Sequence, residues 1–329
     1  MWSLWGWNTW NGDYDPYCAI FEDSLKSIGG YESGYKMINA FFLSLGFSFQ
    51  GYLILYSFVV LSLVLYLCLN YCKYPALFSA IYFLIFIQEY VFLRNYLVST
   101  LFVLALLPIF RGDKKGLVIF VIVVFISSFI HSTAILFLVF LPVLKPKLVN
   151  IKLIFIFQIV VFLFFVFIFR YLLPFFGGSL NEKFDAYSVG GYITNSSFLH
   201  LFIVFLIYRT YKVVSSNLEK FPLITKRIVV IVVNINLLSL FYLGLYYNVP
   251  YFASRFLRCI FVLNLFFFLT ILPYLLNKKD KRKVIFNLGG LIVVILFFLL
   301  FASTPPLSII PLYRCNIIWG NEYYVPILD

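Results

Sequence analysis

Apolar segments long enough to form membrane helices follow one another along most of the chain, and short polar connections separate them. Of the 329 residues, 63% are hydrophobic and 12% are charged, and the mean hydropathy is +1.00. Ordinary globular domains carry roughly 25% charged residues. We therefore predict an all-α integral membrane protein, and no P-loop, HExxH or GxSxG motif in the sequence indicates soluble enzyme chemistry.

Hydropathy delimits candidate transmembrane helices at 51–71, 75–93, 95–110, 116–130, 132–144, 151–173, 198–214, 228–247, 259–276 and 284–303. Some are shorter than the roughly 20 residues that a spanning helix needs. Two long apolar stretches, 75–110 and 116–144, are therefore ambiguous, because each could hold one span or two.

Basic residues distinguish between these alternatives, since cytoplasmic loops of membrane proteins carry an excess of Lys and Arg. The basic clusters lie at Lys73, 111–115, 145–152, 209–227 and 278–283. All of them fall on the cytoplasmic side only if each ambiguous stretch enters the membrane and returns. We therefore predict about ten transmembrane helices, some short or broken, with both termini on the outside.

This topology divides the chain into an extracytoplasmic loop with an interfacial helix at 1–50, a polytopic transmembrane domain at 51–303 and an extracytoplasmic C-terminal tail at 304–329. Short or re-entrant helices are tolerated at membrane depth where they line a cavity or are buried in protein. Cys18 and Cys315 would both lie outside the membrane, where an oxidising environment would allow them to pair.

Arg94 interrupts the apolar stretch 75–110. A charged side chain in a membrane segment costs roughly 2.5–3.5 kcal/mol on insertion scales, so its presence suggests a function. Two interpretations remain open: Arg94 anchors a helix end among lipid headgroups, or it binds an anion, because a guanidinium holds phosphate oxygens bidentately and stays charged. Glu89, about a turn and a half earlier, would orient Arg94 or act on a substrate as a catalytic residue.

Three further residues are predicted at the same outer membrane face as Arg94, at the level of the lipid headgroups: His131, Arg255 and Arg258. Arg255 and Arg258 share a helix face if the helix begins near Ala253. Two like charges side by side are tolerable when an anion lies between them, which favours a pyrophosphate or polyanion site over a headgroup anchor.

His131 lies between hydroxyl-bearing residues in an apolar run. As a functional residue it would be a catalytic general base or a donor to phosphate. The alternative is a buried histidine that is hydrogen-bonded to Ser127, Ser128 or a backbone carbonyl. His200, at the start of the span after a polar loop, is interpreted as an interfacial residue.

Acidic residues crowd the N-terminal loop, and most of them are interpreted as a solvated surface. Glu32 is the exception, because it precedes the amphipathic helix that would lie against the active face. We therefore include Glu32 among the candidate catalytic residues.

Five segments in order along the chain carry a resemblance to a known family: GDYDPY (12–17), YESGYKMIN (31–39), FLRNYL (92–97), FIHSTAI (129–135) and SRFLR (254–258). Their order and spacing resemble those of the EpsG-type polymerases, relatives of the Wzy O-antigen polymerases. In that family the arginine is usually followed by glutamine and the histidine often by lysine and serine, whereas Asn95 and Ser132 stand here. The family usually begins with a membrane helix before the acidic loop, which leaves open a shortened start or a helix count different from ten.

The resemblance implies a membrane glycosyltransferase of the polymerase/ligase type, without metal or other cofactor. It would transfer a growing glycan from undecaprenyl pyrophosphate to the nonreducing end of a new lipid-linked repeat unit, for O-antigen or exopolysaccharide. The implied location is the bacterial inner membrane, with the active face extracytoplasmic. The implied partners are undecaprenyl-pyrophosphate-linked oligosaccharides, membrane lipids, a chain-length regulator and a flippase, but no nucleic acid.

Two alternative functions belong to other classes. A flippase or transporter of the lipid-linked unit would place substrate charges near the membrane midplane rather than at the outer face. A membrane acyltransferase that modifies surface sugars would need a deeply buried histidine, reached by the acyl donor from the cytoplasmic side.

Overall fold

The computed structural model of the chain describes residues 1–26, 32–164, 167, 195–244 and 250–276, together with 289, 290, 292, 296, 312 and 315–318. Within this part, the secondary structure is helical, and β pairing is limited to one isolated bridge between Asn8 and Asn316.

The α-helices are α1 (Trp2–Trp5), α2 (Tyr14–Glu22), α3 (Ser33–Ser44), α4 (Phe49–Tyr71), α5 (Pro75–Ile85), α6 (Leu93–Arg111), α7 (Gly116–Ile130), α8 (Ile151–Leu163), α9 (Asn195–Ser215), α10 (Leu223–Ser239) and α11 (Pro250–Leu276). Short 3₁₀ segments lie at Ile87–Tyr90 and Leu218–Lys220, and a longer 3₁₀ helix covers Ser132–Val143.

Local sequence explains several helix boundaries. The Ser48 side chain caps α4 by accepting the backbone N–H of Gly51 at 3.1 Å. Pro75 stands at the start of α5, where its missing N–H has no intrahelical partner to lose. After α6, Gly112 has a φ of +83°, the left-handed conformation that favours glycine, and the Arg227 guanidinium lies where a Cβ would stand.

Five helices are long and apolar enough to cross a membrane: Phe49–Tyr71, Leu93–Arg111, Ser197–Ser215, Leu223–Gly244 and Phe256–Leu275. Four apolar helices among the described residues are shorter: Pro75–Ile85, Gly116–Ile130, Ser132–Val143 and Lys152–Leu163. The chain is thus a multi-pass, all-α membrane protein. The count of ten spans stays a prediction, and most of the candidate span 284–303 lies outside the described residues.

Both ambiguous apolar stretches are broken, as the basic clusters predict. The first stretch ends α5 at Ile85, passes through a 3₁₀ turn and begins α6 at Leu93, one residue before Arg94. The second ends α7 at Ile130 and continues as a 3₁₀ helix from Ser132, so that His131 stands at the break. Two of the residues selected from the sequence therefore lie at helix ends.

The 3₁₀ helix Ser132–Val143 has a burial pattern that matches its geometry. Ala134, Phe137, Phe140 and Val143 are all buried, and these positions are three residues apart. A 3₁₀ helix has three residues per turn, so this spacing forms one straight ridge along the helix. Buried His131 continues the same spacing at the N-terminal end. The burial pattern and the helix type therefore agree.

The chain divides into two compact units. The first unit contains 1–105, 118–137 and 295–329, and the second contains 106–117 and 138–294. Stacked aromatic rings fill the core of the first unit, for example Phe102 on Phe137 with ring centroids 4.3 Å apart. The predicted boundaries at 50 and 303 remain predictions.

The N-terminal segment of the first unit is more ordered than the predicted loop. It contains α1 and α2 before the expected interfacial helix α3. The backbone N–H of Thr9 and the side chain of Asn8 both donate to the Cys315 carbonyl, at 2.8 and 2.9 Å. Cys18 and Cys315 are both free thiols, so the disulfide considered from the sequence is not formed.

The second unit has its own buried polar group, which we call the Asn236 cluster: His200, Asn236, Ser239 and Asn264. The amides of Asn236 and Asn264 donate to each other at 2.6 and 2.9 Å. The ring Nε2 of His200 lies 2.8 Å from Ser239 Oγ, which donates to the Asn236 carbonyl at 2.7 Å. His200 is completely buried, so its interpretation as an interfacial residue is wrong. The polar side chains of α10 give it a partner inside the protein.

Candidate functional site

Glu32 is the centre of a polar group in the first unit. It stands at the N-cap position of α3 in an extended conformation, with φ −60° and ψ 132°. The side chain of an Asp, Asn, Ser or Thr at the N-cap commonly accepts a hydrogen bond from the first turn of the helix. The Glu32 side chain makes no such bond. Its carboxylate is directed to side chains from two other elements instead.

The two carboxylate oxygens of Glu32 have different partners. Oε2 accepts a hydrogen bond from Nη1 of Arg94 and forms an ion pair with it. Oε1 lies 3.2 Å from Nδ1 of His131 and accepts from both the hydroxyl and the backbone N–H of Ser132, at 3.1 and 3.3 Å. Arg94 also contacts Tyr17. We call these five residues the Glu32 cluster: Tyr17, Glu32, Arg94, His131 and Ser132.

The Arg94 side chain lies against two aromatic rings, Tyr17 and Tyr35, which contact each other edge to face with centroids 5.9 Å apart. Its guanidinium carbon lies 5.7 Å from the centroid of Tyr17 and 5.6 Å from that of Tyr35, which are cation–π distances. Its Nε also approaches the Tyr17 hydroxyl at 3.5 Å. Arg94 is the second residue of α6, where the helix dipole disfavours a cation. Both the guanidinium and the helix end therefore favour an anion at this position.

The ion pair is partly shielded but not closed to solvent. The exposed fractions of the side chains are 18% for Arg94, 12% for Glu32 and 7% for His131. Burial alone would raise the pKa of the Glu32 carboxyl, but the hydrogen bond from His131 and the charge of Arg94 outweigh it and hold this pKa well below its ordinary range. Glu32 is consequently an anion at neutral pH.

An ionised Glu32 fixes the tautomer of His131. A carboxylate only accepts hydrogen bonds, so Nδ1 of His131 must donate to it. In the neutral ring the lone pair is then on Nε2, which suits a general base.

A glycine allows α3 to bring Glu32 this close to His131. A Cβ built on Gly34 would lie 2.8 Å from both Cβ and the carbonyl oxygen of Phe129, near the end of α7. Real side chains do not tolerate this distance, and here one of the atoms is backbone. Gly34 is therefore required for the approach of α3 to the break at His131.

Two tyrosines and an asparagine line the buried side of α3, and one of them, Tyr35, contacts Arg94. Tyr35, Asn39 and Tyr52 are completely buried. The Tyr35 hydroxyl lies near Asn39 and Tyr52, although these groups do not complete hydrogen bonds of normal geometry. On the opposite side of the helix, Met37 and Phe41 are exposed, at 72% and 57%. The helix thus has its polar side inward and an apolar stripe outward, as expected for a helix that contacts lipid.

The structure brings together three of the six predicted site residues: Glu32, Arg94 and His131. The backbone of Glu89 lies in the 3₁₀ turn Ile87–Tyr90, but its side chain is outside the described residues. Arg255 and Arg258 both lie in α11, which begins at Pro250, before the expected start near Ala253. Their positions three apart are thus in one helix, as predicted.

Arg258 is half-buried in the second unit, and the side chain of Arg255 is not described. A shared site of these two arginines with Arg94 therefore stays a prediction. Among the residues that the structure describes, no three His, Cys, Asp or Glu side chains are grouped as a metal site would require.

Sequence reasoning did not select Tyr17, Tyr35 or Ser132. All three lie inside the family-like segments GDYDPY, YESGYKMIN and FIHSTAI, so the segments themselves contained the signal. The aromatic rings were not distinguishable from the many others in the chain. Ser132 could be recognised as a donor only from the structure, where the break between α7 and the 3₁₀ helix directs its backbone N–H toward Glu32.

Comparison with known proteins gives one result. The model of the EpsG family matches residues 1–312, a range that includes the Glu32 cluster and both arginines of α11. No curated protein and no solved structure is significantly similar to the chain.

Proposed function

The chain belongs to the EpsG family, and on that premise we propose that it polymerises lipid-linked oligosaccharide repeat units at the outer face of the bacterial inner membrane. The growing glycan is transferred from undecaprenyl pyrophosphate to the nonreducing end of a new lipid-linked unit. The product is an O-antigen or an exopolysaccharide. The enzyme is a glycosyltransferase that acts without a nucleotide sugar and without a metal.

One observation carries the proposal: a cation suited to phosphate and a base candidate share one carboxylate at two helix breaks. Arg94 and His131 lie on opposite oxygens of Glu32. A transferase that uses a lipid diphosphate donor needs both elements, one to stabilise the leaving group and one to activate the acceptor hydroxyl.

The reaction exchanges one bond at the anomeric carbon of the donor. The bond from this carbon to the phosphate oxygen breaks, and its electron pair stays with the lipid diphosphate. The acceptor hydroxyl oxygen forms the new glycosidic bond, and its proton passes to Nε2 of His131. Arg94 stabilises the charge that develops on the departing diphosphate, in a site with limited access to water.

Glu32 orients the His131 ring in this scheme. Its contact at Nδ1 holds the tautomer and stabilises the imidazolium that forms when Nε2 takes the proton. Arg255 and Arg258 are proposed as further ligands of the donor pyrophosphate, and Glu89 as a further acidic residue of the site.

The test is the accumulation of unpolymerised repeat units in cells. Arg94→Ala or Arg258→Ala, expressed in a strain that lacks the chromosomal gene, should insert normally and give only single repeat units on the outer surface. The control is Arg111→Ala, which removes an exposed arginine from the other end of α6. Long polymer from both variants would contradict the site. Absence of even single units from the outer surface, in cells without the gene, would instead indicate a flippase.

A further inference from the structure

The cation that is proposed to bind diphosphate is paired with an internal carboxylate. Nη1 of Arg94 donates to Oε2 of Glu32. Carboxylates and phosphates are both anions that a guanidinium binds through its N–H groups. Glu32 and a diphosphate would therefore compete for Arg94.

The other oxygen of Glu32 has separate support. Oε1 is held by Nδ1 of His131, the hydroxyl of Ser132 and the backbone N–H of Ser132, at 3.2, 3.1 and 3.3 Å. None of these donors belongs to Arg94. The carboxylate can therefore lose its ion pair and still keep partners on the 131–132 side.

We infer that Glu32 is the resident counter-ion of Arg94, that a diphosphate replaces it there, and that Ser132 is the positioning residue that keeps the released carboxylate on His131. This inference rests on the proposed function, since it names the diphosphate as the competing anion. Ser132 suits the role because one residue supplies two donors to the same oxygen.

The exchange connects donor binding to activation of the acceptor. While Arg94 neutralises Glu32, the carboxylate has less charge available for His131. Once Arg94 turns to the diphosphate, the undivided charge of Glu32 faces Nδ1 and stabilises the imidazolium. His131 then accepts the proton of the acceptor hydroxyl at Nε2, and Glu32 stays ionised throughout. Binding of the donor thus prepares the base for the second substrate.

Binding of inorganic pyrophosphate to the purified full chain in detergent tests the competition. A site that is mostly occupied by an internal competitor has its apparent affinity reduced by the fraction that is open. Glu32→Gln should therefore bind pyrophosphate about tenfold more tightly than the wild type. Glu22→Gln, which neutralises an exposed acid of the same N-terminal segment, should leave the affinity unchanged.

Glu32→Asp separates loss of the contact from loss of charge. It keeps the negative charge but shortens the side chain by one methylene, so it should also bind pyrophosphate more tightly, by a smaller factor than Glu32→Gln. If Glu32→Asp binds pyrophosphate with the affinity of the wild type, the tighter binding of Glu32→Gln reflects only the loss of repulsion between the carboxylate and pyrophosphate. That result would overturn the inference. The aspartate variant also decides the matter if the glutamine variant does not fold.

A double-mutant cycle tests Ser132. Ser132→Ala removes one donor from Oε1, so the carboxylate should stay longer on Arg94 and pyrophosphate should bind about threefold more weakly. In the Glu32→Gln background, Ser132→Ala should have no effect on the affinity for pyrophosphate. In the wild-type background, Ser132→Thr keeps the hydroxyl donor and should keep the wild-type affinity. Ser128→Ala is the matched control, since that hydroxyl donates within α7 to the Phe125 carbonyl.

Equal effects of Ser132→Ala in both backgrounds would mean a structural role and would overturn the assignment of Ser132. These binding measurements need no polymerisation. Loss of polymer from Arg94→Ala without tighter binding by the Glu32 variants would leave the proposed function intact and remove only the inference. Tighter binding by the Glu32 variants together with normal polymer from Arg94→Ala would contradict the proposed function and leave only the competition between Glu32 and pyrophosphate for Arg94.

Discussion

The Glu32 cluster and the Asn236 cluster are both polar groups within predominantly apolar units, but they differ in charge and closure. The members of the Asn236 cluster are neutral or paired within it, and Asn236 and Asn264 are 1% and 2% exposed. The Glu32 cluster contains an ion pair whose members are 12–18% exposed. Reciprocal amides satisfy each other and stabilise helix packing. The partly exposed ion pair of Glu32 and Arg94 is the arrangement for which we propose an exchange of partners.

The largest expected effect is that of Arg94→Lys. Lysine keeps the charge but lacks the planar fork that holds two phosphate oxygens. Loss of one fixed donor to a developing anion typically lowers turnover about 10²–10³-fold. Polymer length in cells should fall to single repeat units, although the protein level stays normal. A comparable loss of polymer from Asn264→Leu would erase the distinction between the two clusters.

The next largest effect is expected from Gly34→Ala. The new methyl group would lie 2.8 Å from Phe129, so α3 must shift and carry Glu32 away from His131. A displacement of about 1 Å at a reacting group can reduce the rate about 10²-fold, and we expect a tenfold or larger loss of polymer. Gly289→Ala is the control, because a Cβ there meets nothing within 4 Å. Equal polymer from both variants would show that the close approach is unnecessary.

Replacement of one asparagine of the Asn236 cluster should affect stability rather than activity. Asn264→Leu leaves the Asn236 amide without its reciprocal partner, at a cost of about 1–2 kcal/mol. The double change Asn236→Leu with Asn264→Leu removes both polar groups and should recover most of that loss. Thermal unfolding in detergent measures both, with polymer length as the control for function. A double variant less stable than either single one would contradict a closed, mutually satisfied pair.

The smallest effect is a dependence of stability on pH. The pKa of Glu32 in the folded chain is lowered, so its ion pair stabilises the fold fully above the ordinary glutamate pKa of about 4.3. This contribution decreases as the pH falls below that value toward the lowered folded pKa. The melting temperature of the wild type should therefore fall more between about pH 5 and about pH 2 than that of Glu32→Gln. Parallel curves would mean that the ion pair contributes nothing to folding.

The sequence was sufficient to predict the helical membrane class and both helix breaks, because hydropathy and basic loops report on solvation and topology. It also selected Glu32, Arg94 and His131, since charges in or beside apolar runs are rare. Hydropathy could not distinguish α-helix from 3₁₀ helix at Ser132–Val143, because it reports how apolar a segment is and not how its backbone is wound.

Other features depend on partners that are distant in the sequence. His200 can be buried because the hydroxyl of Ser239 on α10 is a hydrogen-bond partner for its ring. Tyr17 lies in the Glu32 cluster because its ring contacts Arg94 on α6. The helices α1 and α2 were missed because aromatic and acidic residues conceal a short apolar pattern. Contacts of this kind leave no periodic signal in a single sequence.

The ridge of the 3₁₀ helix has a consequence for insertions and deletions. Because Ala134, Phe137, Phe140 and Val143 repeat every three residues, one added residue within the helix would turn every following side chain by about 120°. Three added residues would return the later ridge positions to the buried side and lengthen the helix by about 6 Å. Relatives of this chain should therefore differ in length between 132 and 143 by multiples of three, or not at all.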